Sequence, residues 1–502
     1  MPRHTTGLAL AAVAALLMMS CSDEHPAGDA QATATTEAPT TTTTTAAVPE
    51  RRPTVEPAAL EGPITAGTLS PPADPRPVDL AAIGYVEEEW FASGTATAYT
   101  AAGELGADGR WDVGPAGTAP YRTRLLVRRP ADAERFSGTV VVEWLNVSAV
   151  EAAPEWAYTS DAIVDDGAAW VGVSVQAFGV VGGHSLLDTG TDEQDTASGG
   201  IRTTNPERYG SLEHPGDAYA FDIYAQIGAA LRSPTGAPVL GGADVTALVA
   251  AGESQSAGFL TTFVNAIQPV VDVYDGFFVH SRGGGAAQLD GVPALRGAEV
   301  AYRIRDDLDV PVLVFETETD VGPLLRFAPA RQPDTDRIRI WEVAGTAHAD
   351  AHLVGRNFAL CPGGINDGPQ HYVAKAGLSA LFAWVVDGTE PASGLPITTA
   401  GPDGTTVERD EHGLALGGIR TPSVDVPVSA LSGEGLPGGN VLCMLFGSST
   451  PFDSAKLTSL YPTQDHYLER FDAALDATIA AGFVRAQDRD AYAAEARANA
   501  VP

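Results

Sequence analysis

"AGESQSAGFL", residues 251–260, governs how the rest of the chain is read. It follows the apolar run Val245–Ala250 and opens through small residues into Phe259-Leu260. A buried strand, a sharp turn and an apolar helix in that order would hold Ser254 out at the end of a sheet. A serine hydroxyl is a poor nucleophile at neutral pH, so it needs a histidine to take its proton and a carboxylate to orient that histidine. In Gly252-Glu253-Ser254-Gln255-Ser256 the last position of a Gly-x-Ser-x-Gly elbow is Ser256. That position serves close helix–strand packing, which a small hydroxyl residue followed by Ala257-Gly258 can also provide. Glu253 reads as structural, and a serine in a polar turn is the plain alternative for Ser254.

The downstream order bears on that choice. "PVLVFETETD" (311–320) is a strand followed by an acidic turn, and "WEVAGTAHAD" (341–350) is a strand followed by Gly345-Thr346-Ala347-His348. Serine, acid and histidine therefore each stand just past a strand's carboxyl end. The remaining pattern is consistent with this. Segments 84–99 and 122–129 alternate like antiparallel strands with one exposed face. Thr139–Val147, Ala169–Gln176, the run ending at Gly252, Tyr274–His280, Val310–Glu316 and Arg337–Gly345 read as buried strands. Helices are expected near 156–166, 218–231, 255–267 and 371–386. Strands alternating with helices call for an α/β fold, a mostly parallel sheet with helices on both faces. The insertions 178–215 and 283–307 follow strand ends and are expected to overhang the ligand crevice. Residues 391–502 form a C-terminal extension packed on the catalytic domain, which spans 62–390, with helices near 464–498.

The Ser, acid, His order resembles the α/β-hydrolase arrangement, and Pro311–Asp320 registers on that fold's Pro-strand-Gly-x-x-Asp pattern, with Thr317 where the pattern has Gly. More narrowly, "VVVEWLNVS", "ERYGSLEHPGDAYAFDIYAQ", "AGESQSA", "HSRGGG", "TETDVGP", "AGTAHAD", "INDGPQHYV", "GGIRTPSVDVPV" and "LFGSSTPF" resemble exported bacterial α/β hydrolase domain proteins. The resemblance covers about residues 65–500. It implies Ser254 as nucleophile, His348 as base and Asp320 as the orienting acid, with Glu318 the rival acid. His352 lies four residues beyond His348; the "HADAH" pair mimics a metal site, but no further ligand cluster accompanies it and no metal or organic cofactor is expected.

Two donors are needed where negative charge develops on the substrate. The amide of Gln255, directly after the serine, is one; Leu145 and Asn146, after the "VVVEWLN" strand, are named for the other. Trp144, Phe178, His280 and Arg282, all at or near strand ends, are candidates to line the substrate crevice, with core packing or ion pairing as the alternatives.

Charge narrows the partners. With 64 acidic and 30 basic side chains the net charge is −34, which argues against nucleic acid or an anionic membrane face, since both require concentrated Lys and Arg. At the N-terminus Arg3 and His4 precede an apolar run, Leu8–Met19, then Ser20-Cys21. That is the form of a secretory signal, too short to span a bilayer, and its end resembles a bacterial lipobox with Cys21 as the lipidated residue; simple secretion is the alternative. Residues 22–61, Ala/Thr/Pro-rich with six threonines at 40–45, lack the apolar side chains to repay ordering and read as a disordered tether. If Cys21 carries lipid, Cys361 and Cys443 are left to pair in an oxidising compartment.

The resulting expectation is an exported serine hydrolase acting on a small-molecule carboxylic ester, touching membrane only through a lipid anchor. An amidase or peptidase with the same three residues, and a surface binding protein on a hydrolase scaffold, are the competing readings.

Overall fold

The computed structural model describes residues 51–501, apart from 75, 184–198, 233–237, 294–299, 357, 362–363 and 437–440. The expected signal segment with Cys21, and residues 22–50 of the expected tether, lie outside the described residues. The tether's last stretch does not behave as one. Arg51 is buried and pairs with Asp272 and Asp309, and Ala59–Glu61 is a strand. The folded body therefore begins earlier than composition indicated, because one arginine and a short edge strand find partners that no local pattern announces.

Nine strands form one sheet. They are β1 (Ala59–Glu61), β2 (Tyr85–Ala101), β3 (Val113–Pro130), β4 (Thr139–Trp144), β5 (Ala169–Val173), β6 (Ala247–Glu253), β7 (Gly276–His280), β8 (Val312–Thr317) and β9 (Ile338–Val343). Their spatial order is β1-β2-β3-β5-β4-β6-β7-β8-β9. From β5 to β9 every pairing is parallel, while β1, β2 and β3 add an antiparallel edge. The centre of the 122–129 strand is covered on both faces rather than one, Leu125 and Val127 entering one core and Leu126 the other, all fully buried.

The central strands are apolar on both faces because both faces are covered. Along β4, Val140, Val142 and Trp144 enter the core under α2 (Ala220–Arg232) and α3 (Gln255–Thr262). Val141 enters the opposite core, beneath α1 (Pro154–Asp165) and α4 (Gln370–Asp387). Burying each such valine stabilises the fold by roughly 1.5–3 kcal/mol. Glu143 is the polar exception in β4. Its carboxyl accepts from the amides of Glu155 and Trp156 and from Trp170 Nε1, so it satisfies the first turn of α1 from the sheet face that α1 covers. Burial pushes that carboxyl up to about 8, against the pull of the three donors.

The chain runs outward from β4 to β5, then returns across β4 to β6. This switch of direction opens a crevice beyond the carboxyl ends of β4 and β6. The C-terminal region closes over that end. Its helices Gln464–Ala480 and Arg489–Arg497 form their own apolar cluster around Tyr461, Tyr467, Phe471 and Tyr492, which takes in Tyr372 of α4. Among the described residues no helix is long and apolar enough to cross a membrane.

Candidate active site

Ser254 sits between β6 and α3 with φ 61° and ψ −120°, a left-handed backbone that a side-chain-bearing residue adopts only when its surroundings hold it there. Its amide donates to the His280 carbonyl at 2.9 Å, and its own carbonyl accepts from Gly258 at 3.1 Å. A Cβ on Gly252 would lie 3.1 Å from both Leu260 Cδ1 and Ser256 Cβ. Helix and strand thus approach closely through Gly252 and the fully buried Ser256, so a serine suffices where the elbow's second glycine is usual.

Ser254 Oγ lies 2.7 Å from His348 Nε2, and His348 Nδ1 lies 2.7 Å from Asp320 Oδ1. The three residues named from their order along the chain are therefore one hydrogen-bonded chain. Asp320 is fully buried, and its Oδ2 accepts from the Thr317 amide (2.6 Å), Thr317 Oγ1 (2.6 Å) and Ser281 Oγ (2.7 Å). Burial opposes its charge, but the neighbouring imidazole and these donors outweigh it and hold the carboxyl below its ordinary range. Burial likewise works against a charged His348. The Asp320 charge and hydrogen bond, with Glu253 adding to them, win and raise the imidazole above its ordinary value.

Glu318 points elsewhere. Its carboxylate pairs with Arg409 Nη2 at 2.6 Å and accepts from the amides of Gly345 and Gly433, both at 2.9 Å. It fastens the C-terminal region and the turn leading to His348 onto the end of β8. Thr317, the departure from the pattern that made the acid ambiguous, is the residue that holds Asp320.

The site opens into a cavity of about 640 Å³. Ser254, His348, Glu253 and Asn146 stand at one end; Leu353, Val354, Phe358, Leu360, Leu442, Leu445 and Phe446 make an apolar wall. A disulfide joins Cys361 and Cys443, the chain neighbours of Leu360 and Leu442, so it ties the two apolar strips together. No described residue of 178–215 or 283–307 lines this cavity. The overhang comes instead from the segment after His348 and from the C-terminal extension; 184–198 and 294–299 lie outside the described residues.

Several expected lining residues are elsewhere. Trp144 is fully buried among Phe221, Tyr224 and Phe259, because it completes the apolar face of β4. Phe178, in a short helix over residues 177–181, is not on the cavity wall. His280 is sealed beneath the elbow, its Nδ1 3.1 Å from Glu155 Oε1 and its Nε2 3.0 Å from Gln370 Nε2; burial pushes it down to about 4. Arg282 donates to the Tyr302 carbonyl and stacks over Phe327, where burial pushes it down to about 10.

The donors expected after β4 are also corrected. The Leu145 amide already donates to Val173 and the Asn146 amide to Ala152. Asn146 does line the cavity, but its side chain pins the turn, donating to the Glu253 carbonyl and accepting from the Ser148 amide. The next amide, Val147, faces the elbow, 3.4 Å from Gln255 Oε1. Gln255 itself opens α3, so its amide has no acceptor within the helix.

Missed at the sequence level was a buried acidic group behind the site. Asp350, pushed up to about 7 by burial, accepts from Tyr158 at 3.2 Å, and Glu155 is raised well above its ordinary range by burial. The only available signal was the proximity of Asp350 to His348. Among the described residues no group of three or more His, Cys, Asp or Glu is arranged to hold a metal ion.

With this geometry in view, the family model for the alpha/beta hydrolase domain matches residues 60–494. The chain belongs to that family. No curated protein matches it. Among solved structures it is similar to an α/β serine hydrolase without lid from Xanthomonas campestris, at 11% identity over 50% of this chain and 86% of that one, TM-score 0.28. It is similar to a cold-adapted esterase from an Arctic intertidal metagenomic library, at 10% identity over 51% and 84%, TM-score 0.26. A third, S-formylglutathione hydrolase from Agrobacterium tumefaciens, is 12% identical over 51% and 86%, TM-score 0.27.

Proposed function

We propose that this α/β hydrolase cleaves carboxylic esters of apolar acids through an acyl-enzyme. Ser254 Oγ attacks the ester carbonyl while His348 Nε2 takes its proton, and Asp320 keeps the imidazole in the tautomer that leaves Nε2 free to accept it. The amides of Gln255 and Val147 stabilise the oxyanion, the substrate oxygen displacing Gln255 Oε1 from Val147, and the amino end of α3 adds its dipole. The alcohol leaves with the proton from His348, and water then releases the acid. No step calls on a metal or cofactor.

The observation that carries this reading is the pair of 2.7 Å contacts linking Ser254, His348 and Asp320 at the mouth of an apolar cavity of about 640 Å³. Each buried methylene contributes roughly 0.8 kcal/mol, or about fourfold in kcat/KM. Turnover of p-nitrophenyl acetate through octanoate should therefore climb with chain length as the acyl chain covers more of the apolar wall. Ser254→Ala should abolish turnover and labelling by a fluorophosphonate. Equal activity of the two proteins, or no label on the parent, would refute the serine mechanism.

Location is part of the same proposal: export, with Cys21 carrying lipid. The support is the basic residues and apolar run ahead of Cys21. Metabolic labelling with a fatty-acid probe should mark the native chain and not Cys21→Ser; equal labelling of both would overturn it.

A further inference from the structure

A second carboxylate faces the imidazole from the side opposite Asp320. Glu253 is the last residue of β6, is 5% exposed and lines the cavity beside Ser254 and His348. Its Oε1 lies 3.7 Å from His348 Nε2, the same atom that Ser254 Oγ contacts at 2.7 Å. Its backbone carbonyl accepts from Asn146 Nδ2. Among the described residues its carboxylate takes no hydrogen bond, and it lines the open space of the cavity rather than being sealed in the core. A water entering from that space reaches it and His348 together.

We propose that Glu253 holds the hydrolytic water of the second half-reaction. This rests on the serine mechanism above. Once the acyl group is on Ser254 Oγ and the alcohol has left, the attacking water must sit against His348 Nε2 and give it one proton. The second proton needs an acceptor, or the water's lone pair is not aimed at the carbonyl carbon. Two acceptors 3.7 Å apart can be spanned by one water about 2.8 Å from each. Glu253 supplies the second.

The step then runs without loose ends. The water oxygen bonds to the acyl carbon, one proton passes to Nε2, and the other stays on the new hydroxyl, donated to Glu253. Collapse of the tetrahedral intermediate breaks the carbon–Oγ bond, Oγ recovers the proton from Nε2, and the carboxylic acid departs. Burial pushes Glu253 up to about 7, with His348 and His280 pulling against it and Glu155 and Asp320 adding to it, so the test belongs at pH 8, where the group is mostly ionised.

The experiment is stopped-flow hydrolysis of p-nitrophenyl butyrate by the full chain, with Glu253→Leu, Glu253→Asp and Ser254→Ala alongside. Glu253→Leu, which removes the acceptor at similar volume, should keep a burst of about one equivalent of p-nitrophenol while steady-state turnover falls on the order of a hundredfold. Its acyl-enzyme should accumulate, visible as the butyryl adduct in the intact-protein mass. Glu253→Asp, which keeps the charge but shortens the reach, should fall between Leu and the parent.

Unchanged steady-state turnover in Glu253→Leu, or acylation and deacylation falling by the same factor in both Glu253 variants, would overturn the proposal while leaving the serine mechanism standing. If Ser254→Ala matches the parent and no adduct forms on any variant, the serine mechanism fails, and the role of Glu253 fails with it.

Discussion

Replacing Asp320 by Asn keeps the outline of the side chain and changes the character of one face. In the native site Oδ2 receives three donors, the Thr317 amide, Thr317 Oγ1 and Ser281 Oγ, while Oδ1 faces His348 Nδ1. The Thr317 amide cannot become an acceptor, so the one oxygen left on the substituted side chain stays on the three-donor side. The new NH₂ is then turned onto His348 Nδ1 and demands a lone pair there. The imidazole proton moves to Nε2, where it meets Ser254 Oγ 2.7 Å away and cannot take the serine proton. A tautomer trapped in this way costs about 10⁴ in kcat, which at 1.36 kcal/mol per tenfold is about 5.4 kcal/mol of barrier. The assay is p-nitrophenyl butyrate turnover at pH 8, with a thermal melt to show that the variant folds. An Asp320→Asn enzyme within tenfold of the parent would refute the reasoning, decisively so if Glu318→Gln lost a thousandfold.

Three further outcomes follow from the same geometry. Glu318→Ala strands the half-buried Arg409 guanidinium and the amides of Gly345 and Gly433; it should lower unfolding free energy by about 3–5 kcal/mol in a denaturant titration, with kcat of the folded fraction within a few-fold. The base must be neutral, and His348 is raised by Asp320 over the opposing effect of burial; kcat/KM should thus fall as pH drops, with its acid limb centred above about 6.5, the ordinary histidine value, and a midpoint below that would contradict it. Reducing Cys361–Cys443, which closes a sequence separation of 82, should cost about 4.5 kcal/mol in the chain-entropy model and lower the octanoate-to-acetate rate ratio, because Leu360 and Leu442 lose their tie; an unchanged ratio would separate the disulfide from the pocket.

Much of this protein was legible from local pattern. Buried parallel strands announce themselves as unbroken apolar runs, and β4, β6, β7, β8 and β9 all fall within a few residues of the expected runs. The elbow is visible because a strand, a small-residue turn and a helix leave a serine with few conformations. His348 and Asp320 share its end of the sheet by the logic of parallel topology, in which every strand delivers its following turn to the same edge. Cysteine scarcity singled out the pair that the disulfide joins.

What periodicity could not decide is which neighbour a side chain meets across the fold. Trp144 and His280 stand at strand ends like true site residues, yet the pleat turns Trp144 into the core under α2 and α3, and His280 is capped by Glu155 and Gln370. Glu318 and Asp320 differ by two positions in one acidic turn. Only the approach of Arg409 from the C-terminal region and of Ser281 from the end of β7 separates their tasks. The cavity wall is assembled from residues on either side of a long intervening stretch, 353–360 and 442–446, and the carboxylate of Glu253 opens onto the space they enclose. Sequence determines what each element is and to which edge of the sheet it brings its turn. Tertiary packing decides which side chains share that edge, because contacts between distant segments depend on helix placement and strand order, and no period along the chain encodes those.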